Sequence, residues 1–277
     1  MQKQIQTRKR GSGLISLLLS LSILIVSGFV ILRAVQDSAA LPSLRGEVDE
    51  ETAAKLEELS RQLDDVRYIL AHSAEYPASL LKLVANNPEA AEFVKQYPEH
   101  GLDTPAETIE ELQAGEIPLL LQWDPRWGYT TYGSDFLAVT GCGPTCLSMV
   151  AAGLTGDNSI TPYLVAEAAE DGGFYTEGYG SEWTIMSVLS ADFGITATEL
   201  PLDENMMIQA LSEGKPIVCS MNPGDFTESG HYIVLVGYED GGFRVHDPNS
   251  PERSAMLWPY DRIADQIGNL WSFAVSD

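Results

Sequence analysis

The sequence predicts an α+β protein in which a helical N-terminal part precedes a domain that mixes helices with antiparallel strands. Between residues 47 and 101 apolar residues recur at three- and four-residue steps, which is typical of helices. Beyond Ile117 short β-like runs alternate with glycine-rich loops, and residues 230–248 carry two β-rich runs around a glycine turn. With 277 residues, 44% of them apolar, the chain can bury one good core and a smaller second unit.

Residues 1–33 are predicted to be a basic cytoplasmic tail and a transmembrane helix. The nineteen residues 14–32 carry no charge and are long enough to span a lipid bilayer. Three basic residues at 8–10 precede them and an acidic sequence follows, so the positive-inside rule places the N-terminus in the cytoplasm and the remainder outside. The alternative is a signal peptide cleaved near Ser38-Ala39-Ala40, which would leave a secreted protein. Both interpretations predict an exported main domain.

The net charge of −24 argues against nucleic acid as a partner, because the phosphate backbone would be repelled. Five of the 16 basic residues lie in the first 33 positions, where there are no acids. The remaining 11 basic and 40 acidic residues give the rest of the chain a net charge of −29. Such a surface would attract cations or basic peptides.

Residues 34–112 are predicted to form a helical stalk region before a final domain at residues 113–277. Three helices are predicted, at residues 47–73, around residues 80–84, and from Pro88 to Gly101. Prolines at or near the ends of these segments act as helix breakers. His72 and His100 lie in this region and are interpreted as ordinary surface histidines.

The final domain begins with a β-like run and two tryptophans. Trp123 and Trp127 either line a cleft or cap the core, and the sequence leaves both interpretations open. The later elements predicted in order are a cysteine helix at 142–153, a glycine-rich loop at 171–181, helices at 182–193 and 205–212, and a buried strand at 217–221. Cys219 in that strand is predicted to be a core residue.

Cys142 lies at the predicted N-terminus of a short helix. Pro144 suits the first helical position because it lacks an N–H, and Gly153 is predicted to end the helix. Helix N-termini and nearby histidines lower the pKa of a thiol, and the thiolate is the nucleophilic form. This position therefore suits nucleophilic catalysis, although a small buried cysteine in a tight turn is the alternative. Cys146 is the competing nucleophile, one turn further into the helix.

His231 and Asp247 lie at the open end of a predicted β-hairpin, 16 positions apart. A three-residue loop that pairs Glu239 with Phe243 would put both side chains on one face, whereas a two-residue loop would put them on opposite faces. The glycine pair at 241–242 permits the longer, bulged loop. A histidine oriented by an acid beside a thiol supplies nucleophile, base and orienting group. His246 is a weaker candidate because it would face the other way.

Taken together these motifs resemble the C39-like peptidase family of papain-like cysteine peptidases. The resemblance covers residues 117–277. Its motifs are Gln122-Trp123-Asp124-Pro125-Arg126-Trp127, Gly141-Cys142-Gly143-Pro144-Thr145, Gly178-Tyr179-Gly180-Ser181-Glu182-Trp183, Gly214-Lys215-Pro216, Gly230-His231-Tyr232-Ile233-Val234-Leu235-Val236-Gly237 and His246-Asp247-Pro248. The resemblance implies a papain-like α+β fold in which the nucleophile helix packs on an antiparallel sheet that carries the histidine and the acid.

The resemblance also implies a role for each of four residues. Cys142 would be the nucleophile, His231 the general base and then acid, and Asp247 the group that orients the imidazole. Gln122 matches an upstream glutamine whose amide would join the Cys142 N–H in an oxyanion hole. The reaction would proceed through an acyl-thioester and require no metal or other cofactor.

Three cysteines in an exported chain leave one unpaired, which would be Cys142. Whether Cys146 and Cys219 form a disulfide is left open.

Three functions remain compatible with the sequence. The first is a membrane-anchored exported cysteine peptidase acting on peptides or surface proteins. The second is a peptidoglycan amide hydrolase that uses the same triad on cell-wall peptide. The third is a non-catalytic peptide-binding module. Leader-peptide processing, known for C39 domains of bacteriocin exporters, is disfavoured because the chain lacks an ATP-binding cassette and a six-helix transporter.

Overall fold

The computed structural model describes residues 48–113, 115–178 and 180–276. The predicted basic tail and anchor at residues 1–33 and the alternative cleavage site at residues 38–40 lie outside these ranges. Within the described ranges, no helix combines the length and the apolar character needed to cross a membrane.

The N-terminal part consists of four helices that bury a core of their own. They are α1 (Glu50–Ser60), α2 (Asp64–Ala71), α3 (Ala78–Asn86) and α4 (Ala91–His100), with 3₁₀ turns at Ser73–Glu75 and Pro88–Ala90. The prediction of one helix over residues 47–73 is wrong. The chain leaves the helical conformation at Leu63, whose backbone is extended, and α2 then packs against both α1 and α4. Because of this break, Leu56 and Ile69 are both fully buried. Burying both side chains stabilises the fold more than a single continuous helix with one exposed side would.

The second part is built on a six-stranded sheet, and every neighbouring pair of strands in it is antiparallel. Its strands are β5 (Ile195–Glu199), β6 (Ile217–Met221), β7 (His231–Glu239), β8 (Gly242–His246), β9 (Leu257–Trp258) and β10 (Ile267–Val275), in the order β5-β10-β6-β7-β8-β9. Two short ribbons precede it: β1 (Thr131–Tyr132) with β2 (Asp135–Phe136), and β3 (Tyr175–Thr176) with β4 (Gly180–Ser181).

Seven helices accompany this sheet. They are α5 (Leu137–Thr140), α6 (Cys142–Thr155), α7 (Pro162–Asp171), α8 (Thr184–Ser187), α9 (Glu204–Ser212), α10 (Pro251–Ser254) and α11 (Tyr260–Ile263), with 3₁₀ turns at Leu189–Phe193 and Ala264–Gln266. The predicted helix at 182–193 is therefore two short pieces separated at Val188. The predicted strand at 217–221 and the helix near 205–212 are confirmed.

The two faces of the sheet bury different helices. Tyr232 and Val234 of β7 pack in one core with α6 and α7, whereas Ile233 and Leu235 pack in a second core with α9. This alternation is that of a strand buried on both faces. The mixed helix and sheet architecture that the sequence predicts is confirmed. It packs α6 on β7, and Cys142 and His231, the first residues of these two elements, are in contact.

Gly153 does not end α6. The helix continues to Thr155 and ends at Gly156, which takes the left-handed conformation at φ 74°. Gly153 lies inside the helix, at the point where residues 116–117 cross it. A Cβ there would come within 2.8 Å of the Ile117 Cα and 2.9 Å of the Glu116 carbonyl oxygen, so there is no room for a side chain. The glycine at this position is therefore required by close packing and does not mark the end of the helix.

The two parts share buried contacts. The core of α1–α4 includes Tyr129 and Ala138 from the second part, and Trp123 packs against it. The Tyr129 ring stacks on Phe93 at 4.2 Å between centroids, and its hydroxyl donates a 2.7 Å hydrogen bond to the Phe93 carbonyl. The helical part is thus packed onto the domain that follows it.

Candidate active site

Cys142 is the first residue of α6, with Gly141 at the N-cap position. The sequence pattern predicts Pro144 as the first helical residue, whereas the structure has it as the third. The thiol is half-buried and not part of a disulfide. The first four N–H groups of a helix have no partner within the helix, and the Cys142 backbone N–H is one of these groups at the positive end of the helix dipole.

His231 is the first residue of β7 and forms a buried pair with Asp247. The distance from His231 Nε2 to Asp247 Oδ1 is 2.8 Å, and their side chains are 7% and 0% exposed. With Nε2 bonded to the acid, Nδ1 is the ring nitrogen left for the thiol. A neutral or charged ring held this way has one defined orientation.

Of the two loop lengths considered for this hairpin, the shorter one forms, although the glycine pair permits the longer one. Glu239 pairs with Gly242, so the loop has two residues, and Asp240 and Gly241 adopt positive φ angles of 49° and 80°. Such a turn matches the twist of the strands. The extra residue lies instead in β7, where the pairing shifts between Leu235 and Gly237. This β-bulge at Val236 brings His231 and Asp247 to the same face.

The Asp247 carboxylate accepts further hydrogen bonds from the turn that follows it. Its Oδ1 also accepts from the Asn249 backbone N–H at 2.8 Å, and its Oδ2 accepts from Arg253 Nε at 2.5 Å. The Asp247 N–H donates to Ser254 Oγ at 2.9 Å. The acid is thus held on both oxygens and through its backbone, and it cannot rotate without breaking several bonds.

These contacts shift the two pKa values in opposite directions. Burial alone disfavours a charged imidazole, but the charge and hydrogen bond of Asp247, together with the contact with Cys142, raise the pKa of His231 to about 10. Burial alone would likewise raise the pKa of Asp247, but His231 and Arg253 hold it below its ordinary value. The geometry therefore favours a charged imidazolium paired with the Asp247 carboxylate.

Gln122 is buried and lies between the acid turn and the segment before Cys142. Its backbone N–H donates to the Pro248 carbonyl at 2.8 Å, and its side-chain Nε2 lies 2.8 Å from the Ala138 carbonyl oxygen. The Val139 carbonyl oxygen is at 3.5 Å from the same nitrogen. A primary amide has two N–H groups, so after the short bond to Ala138 the second has only the long contact with Val139. The Gln122 Oε1 is buried with no hydrogen-bond partner.

A third segment closes the site beside the start of α6. A Cβ on Gly143 would come within 2.4 Å of Ser181 Oγ, so only glycine permits this approach. The Tyr132 hydroxyl oxygen lies 2.8 Å from Ser181 Oγ, and the Tyr232 hydroxyl donates a hydrogen bond to the Ser181 carbonyl at 3.1 Å. Next to this segment Trp183 is 51% exposed, with its indole N–H bonded to Ser220.

The competing candidates lie elsewhere. Cys146 and Cys219 are fully buried and not disulfide-bonded, and burial raises the pKa of each thiol. His246 faces the opposite side from Asp247, its Nδ1 lies 3.3 Å from the Pro118 carbonyl oxygen, and burial lowers its pKa. Trp127 is a core residue at 1% exposure. His72 contacts the Tyr68 carbonyl, and His100 contacts Asp103.

Sequence reasoning did not identify Arg253 or Asn249. Asn249 lies in the turn after β8, and Arg253 lies in α10, which Ser250 caps by accepting from the Arg253 N–H at 3.0 Å. A serine followed by proline signals a helix start, and that signal directly after Asp247 could have found them. Among the described residues, no group of three or more His, Cys, Asp or Glu side chains is arranged to hold a metal ion.

Comparison with protein families matches residues 115–274 to the family described as "Peptidase_C39 like family". A comparison with curated proteins finds no match. Among solved structures, the chain is similar to the peptidase domain of Streptococcus ComA, with 18% identity and a TM-score of 0.39 over 50% of this chain and 93% of that chain. It is also similar to a protein described as a C39-like peptidase from Bacillus anthracis, with 16% identity and a TM-score of 0.38 over 60% and 98% of the two chains.

Proposed function

Because this chain belongs to the C39-like peptidase family and is a cysteine peptidase, we propose that Cys142, His231 and Asp247 are the triad with which it hydrolyses peptide bonds. The observation that carries the proposal is the buried 2.8 Å contact between His231 and Asp247, which leaves Nδ1 of the ring for Cys142. A thiol at the start of a helix beside a fixed imidazole is the arrangement that nucleophilic catalysis requires.

In the proposed reaction the Cys142 sulfur attacks the carbonyl carbon of the peptide bond. The C–S bond forms, the C–N bond breaks, and His231 donates its Nδ1 proton to the leaving amine. Water then attacks the acyl-thioester, His231 takes a proton from that water, and the carboxylic acid leaves as the thiolate is regenerated. Asp247 stays ionised throughout and stabilises the imidazolium, because Arg253 and His231 both favour its charged form.

Gln122 is proposed to donate to the oxyanion of the tetrahedral intermediates. Beyond the bond to Ala138, the second N–H of its side-chain amide has only the 3.5 Å contact with Val139 to give up, and the Cys142 N–H at the start of α6 would be the second donor. Removing one such donor lowers kcat by roughly 100- to 1000-fold in other hydrolases.

The substrate is a peptide or protein. We further propose that residues 14–32 anchor the protein in a lipid bilayer with the peptidase domain outside the cell. The uncharged run of nineteen residues after a basic tail supports this arrangement. Protection of the domain from added protease in inside-out membrane vesicles, but not in intact spheroplasts, would be the expected result. Recovery of the domain in the medium would instead indicate cleavage and secretion.

The test of the triad uses the full chain in detergent, an E-64-like epoxide and a peptide library. We expect the epoxide to label Cys142, and Cys142→Ala and His231→Gln to abolish both labelling and peptide hydrolysis. Cys146→Ala and His246→Gln are the matched controls, since each removes the same type of group from a position outside the triad. Labelling of Cys146, or activity that survives in Cys142→Ala, would contradict the proposal. Hydrolysis of purified cell wall but not of peptides would favour the amide hydrolase.

A further inference from the structure

We propose that the N-terminal helical part belongs to the catalytic apparatus, with Asn87 and Glu89 acting as positioning residues for Asp247. The inference rests on the proposed function and assigns a role to a region that lies outside the residues matched by the family. It starts from the polar contacts between the turn joining α3 to α4 and the turn that follows Asp247.

Asn87 is the first of these contacts. It is 7% exposed, and its Nδ2 donates to the Asn249 carbonyl at 2.6 Å and to the Asn249 Oδ1 at 2.9 Å. Its own Oδ1 accepts from the Glu89 N–H at 3.1 Å and so caps the 3₁₀ turn. Trp123 donates its indole N–H to the same Asn249 carbonyl at 3.1 Å. One carbonyl of the acid turn therefore receives two donors, one from each part of the chain.

Glu89 is the second contact. Its Oε1 accepts a hydrogen bond from the Ser250 hydroxyl, and its Oε2 accepts from the Glu252 N–H at 2.9 Å. Its carboxylate therefore lies at the N-terminus of α10 and satisfies one of the N–H groups that the first turn leaves free. Ser250 is also the residue that caps α10 by accepting from the Arg253 N–H. Glu89 thus fixes the helical turn that carries Arg253.

The residues held by the helical part are those that hold the catalytic acid. Asn249 uses its carbonyl for Asn87 and its N–H for Asp247 Oδ1. Arg253, positioned by the capped turn, binds Asp247 Oδ2 through Nε. Asn87 therefore reaches the carboxylate through Asn249, and Glu89 reaches it through the capped turn and Arg253. A change of a few tenths of an ångström in this turn would alter the bond between Asp247 and His231.

A connection of this kind predicts an effect on His231 and not only on stability. If the turn loosens, Asp247 interacts less strongly with the imidazole and the pKa of His231 falls toward its ordinary value. A helical part that only stabilised the fold would leave the His231 titration unchanged. The two roles can therefore be separated by a pH profile.

Asn87→Asp is the sharpest variant, because it keeps the acceptor that caps the 3₁₀ turn and replaces the donor facing Asn249. Asn86→Asp is the matched control, since it adds the same charge one residue away, where the exposed Asn86 side chain accepts only from Lys55. Glu89→Gln is the second variant, because an amide oxygen can accept just one of the two bonds that Glu89 accepts.

The full chain in detergent is treated with iodoacetate from pH 5 to 11, and carboxymethylation of Cys142 is followed by peptide mass spectrometry. The reagent is an anion, so the rate falls on the alkaline side when the imidazolium loses its proton. We expect this alkaline limb to move down by about one pH unit in Asn87→Asp and Glu89→Gln but not in Asn86→Asp. We also expect kcat to fall roughly 10-fold in both variants with KM unchanged.

Each other result decides against the proposal. An alkaline limb that stays in place in both variants would overturn it, as would a loss of rate that only follows a lower thermal unfolding midpoint. An equal shift in Asn86→Asp would assign the effect to charge and overturn it too. If wild type shows no alkaline limb, the triad itself fails and this inference fails with it, and that outcome is distinct from a normal limb that the variants do not move.

Discussion

Asp247 is a single carboxylate that two cationic side chains share. His231 binds Oδ1 and Arg253 binds Oδ2, so an uncharged replacement would disturb both. In Asp247→Asn the amide oxygen can face only one of these donors, and the amide N–H₂ must then face the other. Asparagine has the same shape as aspartate but cannot accept hydrogen bonds from both cationic side chains in this site.

For Asp247→Asn we predict a loss of at least about 100-fold in kcat, because the imidazolium loses its counter-charge and its orientation. Stability is predicted to fall by about 1–3 kcal/mol because a buried donor is left unpaired. Steady-state kinetics and urea unfolding measure the two effects. Asp225→Asn is the control: Asp225 also binds an arginine, but its side-chain partners are Arg262 and Gln266 and not His231. Equal losses in both variants would contradict the prediction.

The raised pKa of His231 also predicts how stability depends on pH. A group whose pKa is higher in the folded state stabilises that state fully below its unfolded pKa of about 6.5 and loses this contribution as the pH rises through the folded value of about 10. We therefore expect the free energy of unfolding to fall between pH 6.5 and 10. Urea unfolding across this range should show a smaller decline in His231→Gln. An identical decline in both proteins would refute the assignment.

At the scale of elements, the hairpin shows what the sequence could and could not predict. The two strands and the positions of His231 and Asp247 at their open end followed from β-rich runs around a glycine turn. The loop length was missed, although Asp240-Gly241 is a pair that favours a two-residue turn in which both residues take positive φ. The bulge at Val236 has no local signal, since it depends on how β7 pairs with β8.

The last strand and the split helices were missed for related reasons. β10 contains Gly268 and Asn269, which are poor strand residues, and it is a strand because it pairs on both sides, with β5 and β6. The break at Leu63 between α1 and α2 has no glycine or proline to mark it, and tertiary packing decides it. Local patterns predicted the motifs of the site, whereas long-range pairing set their geometry.

Two glycines, Gly153 inside α6 and Gly156 just after its last residue, provide a test of that distinction. Gly153→Ala should destabilise the protein by about 1–3 kcal/mol, because the new Cβ meets backbone atoms of residues 116–117 that cannot move aside easily. Gly156→Ala should cost about 1 kcal/mol, because only its left-handed conformation is affected and no atom lies within 4 Å of the new Cβ. Chemical denaturation measures both. A stabilised Gly153→Ala protein would show that helix propensity outweighs the clash.

At the scale of the whole molecule, the helical part and the sheet domain are joined by apolar packing and by polar bonds. Tyr129 and Ala138 lie in the core of the helices, and Asn87 and Glu89 bind the acid turn. Separating the two parts would expose these apolar side chains and leave buried polar groups without partners. The parts are therefore expected to lose their structure together.

We predict a single cooperative thermal transition for residues 48–276, with equal calorimetric and van't Hoff enthalpies. Differential scanning calorimetry of the full chain, with Cys142→Ala to prevent self-digestion, is the measurement. The same midpoint should be found by tryptophan fluorescence and by far-ultraviolet circular dichroism. Two resolved transitions, one of them confined to the helices, would show that the parts are independent.

The position of β10 has a consequence for the timing of synthesis. This strand is formed by residues 267–275, yet it lies inside the sheet between β5 and β6. While a ribosome is still making the chain, β5 and β6 have no partner on that side, and the sheet that supports His231 is incomplete. We therefore expect a nascent chain that already contains the proposed triad of Cys142, His231 and Asp247 to be inert until residue 275 has emerged. The order of the strands would then delay proteolytic activity until synthesis of the domain is complete.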